Sequence, residues 1–406
     1  MPDTIVDLTP TDLERRFKAE FGSAVALEHP LAASGMGARV VGIDLCKPLL
    51  PTQVALLLDT LAHCRLLTIA GQDLNRFSLA TFERFANHWG APVAHPSNLL
   101  RGGKPAQEDG ASDGAVEIRP YADRKAAAAD STLPGQVACL PHESPAVLVA
   151  TNLLGEGDRD RTRLSNGGTW HTDIEYEPLP LYVSMFLVHH MPVARDAPGG
   201  HWVKAPVVAG PEPYFAGSDD ELMALRRNLP LDGETAFADT AAAFAALPPG
   251  EQARLEGLQV RRRLNEGDEG FLAPLVHTDP RSGVRSLHSP VWASRPGVRP
   301  AIEVDGMTPA ESREFLDRLE KHVLQPQFRY DRLHEPGDVT IWNDYMSIHC
   351  SPPIKTGIGR LEDARLLYRL SCKGEPALTL PRRDDPAWIA RHITGGYRSP
   401  AAITGG

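Results

Sequence analysis

Apolar residues recur along this chain with two different periods, and the two periods separate helices from strands. Residues 11–20 and 51–63 predict helices, the second because Val54, Leu56, Leu57, Leu58 and Leu61 form one apolar stripe. A further helix is expected to end at Phe85-Ala86-Asn87-His88-Trp89-Gly90, and another to run from Asp219 to Arg227. The run Tyr182-Val183-Ser184-Met185-Phe186-Leu187-Val188 predicts a buried strand. The segment from Gly337 to His349 reads as a turn, a strand and a short irregular stretch. Arg365-Leu366-Leu367-Tyr368-Arg369 reads as an apolar strand with its two arginines in register on one face.

Between these elements the pattern fails. Residues 101–136 are rich in Gly, Ala, Asp and Lys and hold almost no large apolar side chain, which predicts a mobile or partly disordered insert. A second insert, 192–231, contains Pro198-Gly199-Gly200-His201-Trp202. The tail from 375 to 406 carries proline and arginine and is expected to wrap the surface. No internal repeat is present, and 406 residues suit one large core, so residues 1–406 are read as a single domain with two insertions and an extended tail.

Charge narrows the list of partners. A formal net charge of -10 argues against nucleic acid or an anionic membrane as a main partner, since either needs a basic face. It leaves room for a small anionic substrate, which needs one or two local arginines. The densest basic run, Arg261-Arg262-Arg263, is read as a solvated strand or helix end. The five cysteines, Cys46, Cys64, Cys139, Cys350 and Cys372, lack framework spacing and suggest a reducing compartment. No basic and apolar leader and no membrane-length apolar run is visible, so a soluble, cytoplasmic protein is expected, with homo-oligomerisation left open. There is no G-x-S-x-G, no G-x-x-x-x-G-K-[ST] and no H-E-x-x-H.

The chemistry is concentrated in His171-Thr172-Asp173 and a distant His349. If His171 and Asp173 lie on one strand, alternation sends both side chains to the same face. A third ligand from His349 would then close a triangle and leave open positions on an octahedral ion, the pattern of non-haem Fe(II) oxygenases. Structural zinc would call for four ligands with thiolates among them. Glu175 would share the face of Asp173 on a regular strand, either bonding a ligand or facing solvent. His189-His190 are read as strand-end histidines, Cys350 as packing beside His349, and Trp170 and Trp342 as core.

With these residues the sequence resembles the TauD/TfdA (taurine and 2,4-D dioxygenase) family. The likeness extends in order through Met36 to Leu45, Leu66 to Leu74, Phe85 to Gly90, Gly233 to Phe244, Pro274 to Pro280 and Arg365 to Arg369. It implies a double-stranded β-helix, a distorted jelly roll of mainly antiparallel strands with flanking helices. It implies Fe(II), 2-oxoglutarate and O2, with His171, Asp173 and His349 as iron ligands. Thr235 and Arg365 would hold the far carboxylate of 2-oxoglutarate, and His95 and Arg369 would meet a small anionic substrate. Arg360 has the spacing from His349 usual in that family, whereas Arg365 opens the apolar strand, and Arg365 is the residue favoured. Gly167 and Asn98 stand where the family binds taurine, so taurine itself is not expected. Retention of Asp173 favours hydroxylation over halogenation. Desaturation, epoxidation or cyclisation would use the same ligands, and a catalytically inactive jelly-roll binder or a cupin-like hydrolase or isomerase are the readings from other classes.

Overall fold

The computed structural model describes residues 9–90, 92–93, 95, 99–101, 104–105, 116–118, 144, 146–153, 164–176, 180–193, 200–206, 213–297 and 299–373. Of five sheets among the described residues, a seven-stranded one and a three-stranded one face each other, with helices on both outer sides. The larger sheet runs in the order Ala26–Glu28, Ala38–Val41, Leu66–Ala70, Val339–Asn343, Val183–His190, Leu366–Cys372 and Leu148–Thr151. Its one parallel pair is Ala38–Val41 with Leu66–Ala70. The smaller sheet has Thr235–Asp239 at its centre, flanked by Arg329–Arg332 and Ser347–Cys350.

The central strand Val183–His190 shows why the apolar run predicted there is continuous. Met185 and Leu187 pack into one core with Leu57, Leu61 and Phe82 from the helices Pro51–Cys64 and Leu79–Ala86. Phe186 and Val188 point the other way, into a cluster with Trp342, Leu367 and Phe237 of the smaller sheet. Both faces are covered, so both residue parities must be apolar. On the far side of the smaller sheet Ala236, Ala238, Ile348 and Cys350 pack against Leu222, Phe244, Phe315 and Leu319. These come from the helices Asp220–Arg227, Thr240–Ala245 and Pro309–Val323.

The predicted helices form as Pro10–Phe21, Pro51–Cys64, Leu79–Ala86 and Asp220–Arg227, each begun by a proline or by a capping serine or aspartate. The helix Pro309–Val323 was not predicted, although Thr308 and Glu311 form a reciprocal capping box ahead of its apolar stripe. The strand Leu99–Arg101, which leads into the first insert, pairs antiparallel with Lys104–Pro105 and Val116–Ile118 inside it, where composition predicted no element. Backbone pairing needs no large apolar side chain. The rest of that insert, much of 192–212 and the tail from 374 lie outside the described residues. Arg262 also corrects the expectation of a solvated basic run: it is 1 % exposed and donates to the carbonyls of His288 and Ser289. No described helix is long and apolar enough to cross a membrane.

One buried ion pair ties the outer helices together. Arg226 donates to Glu320 through Nε (3.0 Å) and Nη2 (2.5 Å) and to Asp317 at 2.9 Å, and the Tyr214 hydroxyl donates to Glu320 at 2.7 Å. Glu320→Gln keeps the shape but removes the charge, and is expected to cost about 2 kcal/mol, the worth of one charged hydrogen bond. A shift in urea midpoint at constant slope would measure it, and an unshifted midpoint would show that the pair contributes no net stability.

Candidate metal centre

Two histidines 178 positions apart meet because their backbones pair. His349 lies on the strand Ser347–Cys350 at the edge of the smaller sheet, and His171 joins that edge as an isolated antiparallel bridge. The His171 amide donates to the His349 carbonyl at 3.0 Å and the His349 amide returns to His171 at 2.9 Å. Directly opposed residues in such a pair project to the same face, and the two rings sit 4.4 Å apart. Gly167 lets the chain approach here: its φ is +81°, and a Cβ would lie 3.2 Å from Pro353.

Asp173 does not sit on a continuing strand. Residues 173–176 form a turn, and Ile174 adopts φ 52°, a left-handed conformation costing a branched residue about 1–2 kcal/mol. The expected alternation therefore ends after Thr172, and the turn delivers the carboxylate instead. His171 Nε2 lies 3.7 Å from Asp173 Oδ1, and His349 Nε2 lies 3.7 Å from Oδ2. One donor atom from each residue falls within 4.8 Å of the other two. His171 Nδ1 is 2.8 Å from the Thr169 carbonyl, which places the proton there and leaves the Nε2 lone pair facing Asp173. Burial, and then the adjacent His171 ring, hold His349 well below the ordinary histidine range, so it is neutral as a ligand must be. The donor set is two imidazoles and one carboxylate with no thiolate, which fits Fe(II) better than structural zinc.

Asp173 is completely buried and surrounded by donors. Burial alone would push its carboxyl up, but the Arg369 charge and the two histidines outweigh that and hold it well below the usual range. Arg369 Nη1 lies 3.0 Å from Oδ1 and Arg295 Nη2 3.5 Å from the same atom. Ser184 Oγ is 3.0 Å from Oδ2. Glu175 is buried and reaches the site through Arg295, whose Nε is 3.9 Å away, and it accepts from the Ser294 hydroxyl. It therefore neither bonds a triad member nor faces solvent.

The other candidates divide clearly. His95 is half-buried beside this group, and burial together with the Arg369 charge drives its ring down to about 3. Arg365 is 5 % exposed and its Nε reaches the Gly233 carbonyl at 3.3 Å, two residues from Thr235. Burial, partly offset by Glu234, lowers Arg365 to about 10, and among the described residues it forms no ion pair. Thr235 is buried and its hydroxyl lies 2.9 Å from His334 Nε2. Arg360 has a 60 % exposed side chain and pairs with the exposed Glu362 and the buried Asp363. Trp170 and Trp342 are fully buried, His189 and His190 end the central strand, and Cys350 faces the outer core.

Four residues of this region were not singled out from the sequence: Arg295, Ser184, Asp344 and His334. Ser184 had a signal, being the one small polar side chain inside an otherwise apolar and aromatic run. Arg295 had none, since nothing local to it points to a carboxylate 122 positions away.

Residues 221–370 match the family model described as taurine catabolism dioxygenase TauD, TfdA family. That span includes Thr235, His349, Arg365 and Arg369, while His95, His171 and Asp173 precede it. Pentalenolactone F synthase of Streptomyces arenae is 24% identical over 229 residues, covering 50% of this chain and 62% of that one. The (S)-phenoxypropionate/alpha-ketoglutarate-dioxygenase of Sphingobium herbicidovorans is 29% identical over 167 residues, covering 36% and 54%. The chain thus spans less than two thirds of the length of these curated relatives. A crystal structure of a taurine dioxygenase from Burkholderia xenovorans superposes with a TM-score of 0.53 at 21% identity, covering 90% of this chain and 98% of that one, and so shares its fold.

Proposed function

We propose, from the premise that residues 221–370 are a TauD/TfdA-family segment, that this chain is an Fe(II)- and 2-oxoglutarate-dependent dioxygenase acting on a small anionic organic substrate. The observation that carries the reading is the convergence of His171, Asp173 and His349. The two facing sheets are read as the halves of a double-stranded β-helix, and the chain as one dioxygenase domain.

His171, Asp173 and His349 would hold the iron. Bound there, Fe(II) with 2-oxoglutarate and O2 supplies oxidation of a substrate C–H bond to C–OH, coupled to conversion of 2-oxoglutarate to succinate and CO2. Arg365 would hold the far carboxylate of 2-oxoglutarate: a buried guanidinium that forms no ion pair among the described residues is stabilised by an anion that brings two parallel acceptors. Thr235 would add its hydroxyl, which now engages His334. Arg369 and Arg295 converge on one oxygen of Asp173, and a cation bound by that carboxylate would compete for its charge. The two guanidiniums would then receive the anionic group of the substrate, with neutral His95 beside them. Hydroxylation is the reading preferred, because the carboxylate ligand is kept.

The test is anaerobic visible absorption during addition of Fe(II) and then 2-oxoglutarate. A charge-transfer band that needs both is expected, with substrate-stimulated succinate formation once oxygen is admitted. Iron-loaded protein that shows no band with 2-oxoglutarate would overturn the reading.

A further inference from the structure

Behind Asp173 lies a set of oxygens, from two strands and the turn after Val339–Asn343, that the iron-site reading does not use. Ser184 Oγ is 3.0 Å from Asp173 Oδ2, 2.8 Å from Asp344 Oδ2 and 2.9 Å from Ser371 Oγ. Ser184, Asp344 and Asp173 are each wholly buried, and Ser371 is 6 % exposed. The indole Nε1 of Trp342 donates to the other oxygen of Asp344 at 3.1 Å.

Counting protons decides how this set must work. Ser184 has one hydrogen and two lone pairs. Were both aspartates ionised, that hydrogen could serve only one of them, and the other would leave a buried anionic oxygen without it, at a cost of several kcal/mol. With a proton on Asp344 every contact is satisfied. Asp344 and Ser371 each donate to Ser184 Oγ, and Ser184 donates to Asp173. Burial and the nearby Asp173 charge both push the Asp344 carboxyl well above the ordinary range, in the same direction as the count.

We propose that Ser184 is the positioning residue of the metal-binding carboxylate, and that Asp344 serves it as an un-ionised acid that keeps the Ser184 hydrogen directed at Asp173. By fixing Oδ2, Ser184 sets the plane of the carboxylate and hence the direction in which Oδ1 is presented. This rests on the iron-site reading above. Partners that orient metal ligands are worth about 10–100-fold in metal affinity.

The experiment is titration of the full chain with Co(II), followed by its visible ligand-field absorption, on wild type, Ser184→Ala and Asp344→Asn, with circular dichroism as the check on folding. Ser184→Ala is expected to bind cobalt about 10–100-fold more weakly and to show shifted bands. Asp344→Asn, which imitates the protonated acid in shape and in its ability to donate, is expected to stay within about threefold of wild type. Ser184→Ala with wild-type affinity and bands would overturn the proposal. So would Asp344→Asn with a loss as large as that expected of Ser184→Ala, because the carboxyl would then be acting as a charge. Should Ser184→Ala fail to fold, Asp344→Asn decides the matter alone. Wild type that takes up no cobalt would instead overturn the metal-site reading itself, and this inference with it.

Discussion

His171→Ala is expected to abolish both the charge-transfer band and 2-oxoglutarate-dependent succinate formation, with turnover falling on the order of a thousandfold or more. The estimate is a lower bound, since residues that merely orient metal ligands are worth about 10–100-fold and this change removes a ligand. Two donors cannot enclose the ion as three do, and His171 is the one whose free nitrogen is already fixed by the Thr169 carbonyl. The fold should survive. Among the described residues the side chain bonds that carbonyl at 2.8 Å and stands 3.7 Å from Asp173, and one such hydrogen bond contributes about 1 kcal/mol. A variant that melts like wild type but neither shows the band nor turns over is the expected result. Retention of the band would mean that the metal is held elsewhere.

Arg365→Ala is expected to raise the 2-oxoglutarate concentration needed for half-saturation by about 30- to 4000-fold, while Arg360→Ala leaves it within about twofold. Truncating one partner of a buried, hydrogen-bonded charge pair costs about 2–5 kcal/mol, much of it from stranding the other charge. Arg365 would be in that position, being buried and forming no ion pair among the described residues. Arg360 is exposed and already paired with Asp363 and Glu362, where screening leaves little to lose. Arg365→Lys should recover only part of the loss, because an ammonium keeps the charge but not the two-point fork. Titration of the Fe(II) protein with 2-oxoglutarate, read by the band, measures all three. A strong effect of Arg360→Ala with none from Arg365→Ala would reverse the assignment.

The sequence expectations succeeded where a local rule suffices. A run such as Tyr182 to Val188 can only be covered on both faces, and helix starts such as Asp219 and Pro51 state themselves through their caps. They failed where a residue's environment comes from elsewhere in the chain. Arg262 looked like part of a solvated basic run, yet its strand pairs with Phe271–Pro274 and Glu303–Val304 and it ends buried against the carbonyls of His288 and Ser289. Asp173 was expected on a strand, and only the conformation of Ile174 shows the turn that presents it.

What the sequence determined by itself is therefore the inventory: two imidazoles and a carboxylate of the right types, two arginines four apart, of which only Arg369 lies on the strand Leu366–Cys372, and the apolar runs that must be buried. Ligand chemistry and side-chain parity are properties of residue type and short spacing, so they need no fold to be stated. What only the tertiary structure decided is which of these groups share a desolvated space. The bridge that sets His171 against His349, the burial that separates Arg365 from Arg360, and the approach of Arg295 and Ser184 to Asp173 are all contacts between distant segments. Such contacts are fixed by sheet register and by what packs on each face, and a charge's affinity for a partner depends on how much water that packing removes.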